Sequence, residues 1–319
     1  MIKALWHDDE NNSSLRKETF SNRSPNMVHI QSLFSLISLG TERTIAKGLV
    51  PPTLENEMNV PYMAGKIHLP VKYGYSLVGK IMDKGHLLEG QLVHLLHPHQ
   101  SECVVKVEDC YQIPKEIPAH RATLASNMET AINAIWDAEL SMGDQVLVVG
   151  FGLIGALITQ LAAQFPGVNV HIIEKNAARK KMANNLGFIT TDDPAPGSYD
   201  LAFNTSGHEA GLQHAINAIG LEGRVIEMSW YGDKAVSIHL GGDFHWKRKR
   251  IISSQVGLIP SIKKHRWDYR RRKDLVFELL KNPIFDAFIT KIINFKDSPA
   301  FFHRLRNEPI GDLGVCIRY

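Results

Sequence analysis

The segment from Gln145 to Gly155 constrains this chain more than any other. Val146-Leu-Val-Val-Gly150 is an unbroken apolar run of strand length, and Gly150-Phe151-Gly152-Leu153-Ile154-Gly155 follows it directly. Apolar positions at helical spacing continue over Leu153–Gln164, so the pattern reads as a buried strand that enters a helix through a tight turn. Each glycine has a physical task. Gly150 permits the turn, Gly152 lets the backbone approach a diphosphate, and Gly155 lets helix and strand pack closely. The helix start, with Leu153 and Ile154, offers unpaired N–H groups and positive dipole to phosphates. Glu174 ends the next predicted strand, where a carboxylate can accept from both hydroxyls of an adenosine ribose. A 2′-phosphate would be repelled there, so NAD(H) is favoured, while Lys175, Arg179 and Lys180 just beyond keep NADP(H) open. S-adenosylmethionine also binds a glycine turn, but a third glycine inside the helix suits a diphosphate better.

The rest of the chain is read around that unit. Strand and helix patterns alternate after Gln145: Asn169–Glu174 as strand, Ala177–Leu186 as helix, then strands at Asp200–Asn204, Gly223–Met228 and Arg250–Ser254, with a last helix at Leu275–Leu280. Such alternation predicts a parallel sheet covered on both faces. The first 115 or so residues instead carry short, imperfectly alternating runs such as Met27–Leu33 and Ser76–Met82, broken by Val50-Pro-Pro-Thr and Val60-Pro-Tyr-Met-Ala-Gly. They read as mostly β, and the chain reads as β again from about Phe285. The expected fold is therefore α/β: a doubly wound Rossmann sheet over 119–285, inserted in a mainly β domain of 1–118 and 286–319.

Composition excludes several classes. At 22% charged and 44% hydrophobic residues the chain is neither disordered nor fibrous. Its net charge of +3 is too balanced to argue, by electrostatics, for nucleic acid or an acidic membrane surface as partner. Three cysteines exclude both a disulfide scaffold and a closed zinc lobe built from thiolates alone. Val146–Ile158 is too short for a membrane span, and the start lacks the pattern of a signal peptide, so a cytoplasmic location is expected. Two basic segments, His245–Arg250 and His265–Lys273, interleave aromatics with cations. They are read as solvated surface, with Arg266 or Arg270 available to an anionic substrate.

Over essentially its whole length the sequence resembles the medium-chain dehydrogenase/reductase superfamily, which includes zinc alcohol dehydrogenases and quinone reductases. The resemblance is carried by Lys3-Ala-Leu5, Ile37–Glu42, Lys72–Gly79, Gly150–Gly155, Asn204-Thr-Ser-Gly207 and Leu221–Ile226, in the family's order. Lys72-Tyr-Gly-Tyr-Ser76, His97-Pro-His-Gln100, Asn127–Ala131, Ser229–Asp233 and Ser253–Gly257 resemble a bacterial branch of zinc-type alcohol dehydrogenase-like proteins. Zinc-less bacteriochlorophyllide dehydrogenases are a more distant comparison. The resemblance implies a GroES-like β domain around the Rossmann domain, and a homodimer joined through the strand near Ser253–Gln255. It also implies hydride transfer between a nicotinamide and an alcohol, a carbonyl or a conjugated double bond.

The positions that match the family's catalytic zinc ligands are Leu39, Tyr75 and Ser126, and none offers thiolate, imidazole or carboxylate. No metal is therefore expected. Without a Lewis acid, charge on a carbonyl oxygen must be met by hydroxyl, amide, imidazole or N–H donors. By resemblance, Thr41 matches the family's proton-relay hydroxyl, and Tyr75 stands where the ligating histidine would be, either as a phenol donor or as a plug. Asn127 and Glu129 are further candidates at the start of the first Rossmann helix, with Thr130 beside the nicotinamide. Ser206, Gly207, Ser229 and Tyr231 are expected to line the cofactor groove with the glycine turn, Glu174 and Lys175. Glu42 is a second carboxylate near this site, and His99-Gln100 is either a hydrogen-bonding pair or plain loop. The alternative of another class is a dinucleotide-binding sensor without catalysis; an S-adenosylmethionine-dependent methyltransferase is more remote.

Overall fold

Lys3–His7 (β1) and Ser13–Lys17 (β2) pair as an antiparallel hairpin, with Lys3 opposite Lys17 and His7 opposite Ser13. The computed structural model that shows this describes residues 1–20 and 23–319. Met27–Ile37 (β3) is the longest strand, and alternate residues Val28, Ile30 and Leu36 are buried along it. Helix α1 (Leu39–Ala46) follows at once. Short strands β4 (Ala64–Gly65) and β5 (Val71–Lys72) extend the hairpin into a four-stranded sheet of order β2-β1-β5-β4. Leu77–Ile81 (β6), Leu92–Leu95 (β7), Glu102–Lys106 (β8) and Tyr111–Gln112 (β9) are antiparallel around β3, which β8 also pairs. Short helix α2 (Ala119–Ala122) then leads to α3 (Ala125–Asp137).

The second unit is the doubly wound sheet. Gln145–Val149 (β10), α4 (Leu153–Ala162), Asn169–Ile173 (β11), α5 (Ala177–Asn185), Ile189–Thr190 (β12), Tyr199–Asn204 (β13), α6 (Glu209–Ala218), Ile219–Glu227 (β14), α7 (Asp243–Trp246) and Arg250–Ser253 (β15) follow in sequence. The six strands are all parallel, in the order β12-β11-β10-β13-β14-β15. Because consecutive strands leave β10 in opposite directions, the order reverses between β11 and β13, and that switch point lies at the carboxyl end of β10. Leu147, Val149, Ala202 and Val225 of the sheet pack with Leu212, Ala215 and Ile216 of α6 in one apolar cluster. Helices α8 (Ser261–Lys264) and α9 (Tyr269–Leu280) complete the segment.

The chain returns to the first unit through Ile289–Asn294 (β16), α10 (Ser298–Asn307) and Gly314–Arg318 (β17), giving a seven-stranded sheet of order β16-β17-β3-β6-β7-β9 with β8 beside β3. This is the α/β architecture expected, a Rossmann sheet inserted in a mainly β domain. The units, however, are Met1–Ser126 with Lys273–Ile310 and Gly314–Tyr319, and Asn127–Arg272 with Gly311–Leu313. Residues 119–126 and 273–285 thus side with the β unit, not with the Rossmann unit as sequence spacing placed them. Arg121 gives the physical reason. Its buried guanidinium donates to Asp286 at 2.8 Å and to the carbonyls of Leu280 and Lys281, and Val276, Phe277, Leu280 and Phe285 are buried with it.

Two helices interrupt stretches read as β. Helix α1 buries Glu42, Ile45 and Ala46, so a carboxylate occupies a core position and hides the apolar period. In α10, Phe301, Phe302 and Leu305 are buried against Leu5, Ile37, Val315 and Ile317. No helix among the described residues is long and apolar enough to cross a membrane. Phe302 is fully buried and lies against the His7 ring, 4.6 Å between centroids. Truncating it leaves a cavity, so Phe302→Ala is expected to cost about 3–5 kcal/mol of unfolding free energy. Denaturant titration of variant against wild type reads that loss directly.

Candidate functional site

In the Rossmann unit the glycine turn is built as its sequence requires. Gly150 has φ +98°, a backbone region that side chains rarely adopt. A Cβ at Gly155 would lie 2.0 Å from the carbonyl oxygen of Gly150, so only glycine lets α4 sit this close to β10. Gly152 is the N-cap of α4 without a side-chain cap, and Ala156 N–H donates to Gly152 O at 2.8 Å. The N–H groups of Leu153, Ile154 and Gly155 precede that bond in the helix and have no intrahelical acceptor. Around Gly152 a Cβ would meet only Arg179, at 3.7 Å. That is the cradle a diphosphate needs.

A cavity of about 270 Å³ opens here, lined by Gly150, Gly152, Glu174, Lys175, Arg179, Ser206, His208 and His214 among others. Glu174 does more than face a ribose. Its Oε2 accepts from Phe151 N–H and its Oε1 from Asn176 N–H, both at 2.7 Å, so the carboxylate clamps the turn while each oxygen keeps a lone pair for a ligand. Lys175 is exposed at the rim. Arg179 is directed to the carbonyls of Gly311 and Asp312, and Lys180 pairs with Asp192 away from the cavity.

The ends of β13 and β14 are knitted by a polar network. Asn204 Nδ2 donates to Glu227 Oε2 at 2.8 Å and to the Tyr231 hydroxyl at 3.1 Å, and that hydroxyl donates to Glu227 at 3.2 Å. Ser229 N–H donates to Glu227 Oε1, and Gly207 N–H donates to Ser229 Oγ. Ser206 Oγ donates to Asn204 Oδ1 at 2.7 Å. Burial, then the Glu227 charge, pushes the Tyr231 phenol up to about 12. Of the groove residues expected here, Ser206 lines the cavity, while Gly207, Ser229 and Tyr231 do not and belong instead to the hydrogen-bond network around Glu227. Glu227 and the two histidines were not singled out in the sequence. Glu227 follows an ordinary strand pattern, and His208 is disguised as a helix cap, its Nδ1 accepting from Ala210 N–H.

On α3, Asn127 is buried and its Oδ1 has no hydrogen-bond partner, an orphaned acceptor of the kind a ligand amide would satisfy. Glu129 is also buried, 3.2 Å from Arg272 Nε, and Arg272 Nη1 reaches Asn133 Oδ1 and Val256 O. Its carboxylate is thus committed to a buried ion pair and is not open as an acid/base group. Thr130, one residue on, is half-buried.

In the β unit, Tyr75 and Thr41 come together. Tyr75 is half-buried, and burial pushes its phenol up to about 12, opposed by hydrogen bonds with Ser38 and Thr41. Its carbonyl accepts from Ser126 Oγ at 2.8 Å. Ser76 Oγ and Ser126 Oγ both donate to carbonyls, so His94 Nε2–H, 3.1 and 3.3 Å from them, donates to both hydroxyl oxygens. His94 Nδ1 is left buried without a partner, and burial together with Lys273 holds this imidazole neutral, well below its ordinary range.

Glu42, the second carboxylate singled out in the sequence, is a core residue. It is fully buried, accepting from Ser38 N–H through Oε1 and meeting His99 Nε2 through Oε2, both at 2.8 Å. His99 Nδ1 lies 2.7 Å from Ser35 Oγ, which is 2.8 Å from the Tyr319 hydroxyl. His99 is therefore a core residue and not plain loop, and Gln100 accepts from the buried Lys72 at 3.0 Å. His97 stacks on Tyr62, 5.2 Å between centroids.

The family's zinc does not fit this donor set. Leu39 has no donor atom, Ser126 is engaged with the Tyr75 carbonyl, and no group of three or more His, Cys, Asp or Glu able to hold a metal ion occurs among the described residues. A dinucleotide does fit, on the evidence of the glycine cradle and the orphaned Asn127 oxygen.

The fold and this turn together define a class: the chain has the medium-chain dehydrogenase/reductase fold. Solved structures of similar fold include 2R,3R-butanediol dehydrogenase from Bacillus subtilis, with TM-score 0.78, 19% identity and 100% of both chains covered. A protein from Sinorhizobium meliloti 1021 solved with NADP bound has TM-score 0.78 and 18% identity, over 100% of this chain and 99% of that one. An alcohol dehydrogenase from E. coli CFT073 complexed with NADH has TM-score 0.77 and 16% identity, over 100% and 99%. Among curated proteins, the chain is 26% identical over 188 residues to D-guloside 3-dehydrogenase of Escherichia coli (strain K12), covering 54% of this chain and 53% of that protein. It is 25% identical over 207 residues to (R,R)-butanediol dehydrogenase of Bacillus subtilis (strain 168), covering 60% and 56%. The chain thus spans about half the length of the curated relatives it matches. No protein-family model matches the sequence.

Buried neutral histidines set an acid limit on the β unit. Burial is the main cause holding His97 at about 4 and His7 at about 3, with Lys72 and Arg306 adding to it respectively. Depressed histidines are neutral when folded, so their stabilisation is present above the unfolded pKa of ~6.5 and is lost as pH falls toward the folded value. Between pH 7 and pH 5 each is expected to cost about 2 kcal/mol of unfolding free energy. Chemical denaturation at the two pH values measures the drop, and His97→Gln should make it smaller.

Proposed function

We propose that this chain is a nicotinamide-dependent oxidoreductase acting on an alcohol or carbonyl compound without catalytic zinc. The carrying observation is the glycine cradle of Gly150, Gly152 and Gly155, clamped by Glu174; by resemblance Tyr75 takes the place of a ligating histidine and Thr41 that of the relay hydroxyl. A bound nicotinamide dinucleotide would supply the hydride or accept it. Glu174, Gly152 and the first turn of α4 would hold its adenosine and diphosphate, Lys175 and Ser206 would flank them, and Asn127 Oδ1 would be free to accept from the carboxamide. Glu174 favours NAD(H), since its carboxylate would repel a 2′-phosphate.

The β unit's own residues then manage the proton. With its pKa near 12, Tyr75 keeps its proton at neutral pH and donates a hydrogen bond to a substrate oxygen as charge develops there. Thr41 and Ser38 hold the phenol in place and ease its deprotonation. Hydroxyls rather than apolar side chains around the phenol favour carbonyl chemistry over reduction of a conjugated double bond. Glu129 serves as a positioning residue through Arg272. The parallel strand β15, at the free edge of the six-stranded sheet, is the surface through which a homodimer would form.

Titration calorimetry with NADH, NADPH and S-adenosylmethionine tests the reading. NADH is expected to bind more tightly than NADPH, and Glu174→Gln to narrow that gap. Binding of S-adenosylmethionine alone, or of none of the three, would remove the oxidoreductase. Once a substrate is identified by screening, Tyr75→Phe is expected to lower turnover on the order of a hundredfold, and Thr41→Ala to lower it as well, with dinucleotide affinity unchanged. Tight dinucleotide binding with no turnover on any alcohol or carbonyl would favour a sensor.

A further inference from the structure

We propose that the Leu258–Arg271 face of the Rossmann unit docks on a membrane surface bearing acidic phospholipid. Residues 258–271 hold five Lys/Arg (263, 264, 266, 270 and 271) against the single Asp268, a net +4, whereas the whole chain carries +3. The remainder of the chain therefore sums to −1, and the near-neutral total conceals a concentrated positive segment here. Asp268 is spent locally, its Oδ1 accepting from Arg271 N–H at 2.7 Å at the start of α9.

Aliphatic side chains among these cations point to lipid. Leu258 is 73% exposed and Ile262 50% exposed, beside Lys263 and Lys264. Apolar groups that enter the headgroup boundary, flanked by Lys and Arg that meet anionic headgroups, are what an interfacial anchor requires. Nucleic acid would use free aromatic faces, and the indoles here are already occupied. Trp136 and Trp267 lie 4.8 Å apart, Arg271 covers Trp267 at 4.1 Å and Lys263 covers Trp136 at 5.8 Å. The apolar tip is also held in place before any encounter. Asn133 Nδ2 donates to Leu258 O at 2.9 Å, and the Tyr269 hydroxyl donates to Gly257 O at 2.8 Å. Little ordering entropy then opposes binding.

The test is co-sedimentation of the full chain with phosphatidylcholine vesicles, with and without about a third phosphatidylserine. Binding is expected only to the anionic vesicles, and to be lost at high salt as screening shortens the reach of the charges. Lys263→Glu/Lys264→Glu and Leu258→Asp/Ile262→Asp should each weaken it about tenfold or more, from the charge attraction and the apolar burial respectively. Circular dichroism and thermal melting of both variants should match wild type, which separates loss of docking from loss of fold. Equal sedimentation with both vesicle types, sedimentation with neither, or either double variant binding like wild type overturns the proposal. Salt-sensitive binding to a DNA duplex without binding to vesicles would also overturn it and assign the face to nucleic acid.

Discussion

The contact between Gly155 and the Gly150 carbonyl is the constraint on which the Rossmann unit of this protein rests. A methyl group at position 155 would overlap that oxygen at 2.0 Å and Thr205 Oγ1 at 2.8 Å. Helix α4 can therefore leave β10 at close range only without a side chain there, and its first turn is aimed by that proximity. Neighbouring strands hold the same turn. From β11, Glu174 accepts the Phe151 N–H, and just past β13, Thr205 Oγ1 donates to Gly150 O at 2.7 Å. Three parallel strands thus converge on one backbone turn, at the point where the strand order reverses.

The β unit depends on a different economy, in which buried polar groups are satisfied by one another. Removing Glu42 from water is costly unless its charge is met, and His99 and the Ser38 N–H meet it. The pair ties α1 to the loop after β7, and α1 carries Thr41 to Tyr75. His94 works in parallel, fixing the hydroxyls of Ser76 and Ser126 beneath the Tyr75 backbone. The hydroxyl cluster is therefore supported from two sides by imidazoles, one paired with a carboxylate and one kept neutral by burial.

Much of the Rossmann unit was legible because its signals are local. Alternating strand and helix, glycines at fixed offsets and an acid at a strand end are all short-range patterns, and the sheet appears where they put it. The failures are equally physical. Helix α1 was missed because a buried carboxylate occupies the core position that an apolar residue usually marks. Helix α10 was missed because adjacent buried phenylalanines, Phe301 and Phe302, mimic a strand run. The unit junctions were misplaced because Arg121, an ordinary cation in sequence, anchors residues far along the chain.

For the candidate site the division is sharper. Sequence alone determined that a glycine turn of the Gly-Xaa-Gly-Xaa-Xaa-Gly form joins a buried strand to a helix, and that Glu174 stands at the end of the next strand. These follow from residue type and spacing, which survive any arrangement of the remaining chain. Whether a polar side chain is spent or available is a matter of what folds against it. Glu129 against Arg272, Glu42 against His99 and the unpartnered Asn127 oxygen are outcomes of how residues up to 143 positions apart fold against one another. Burial raises the cost of every unmet hydrogen bond, so three-dimensional packing, not residue identity, assigns each of these groups to structure or to chemistry.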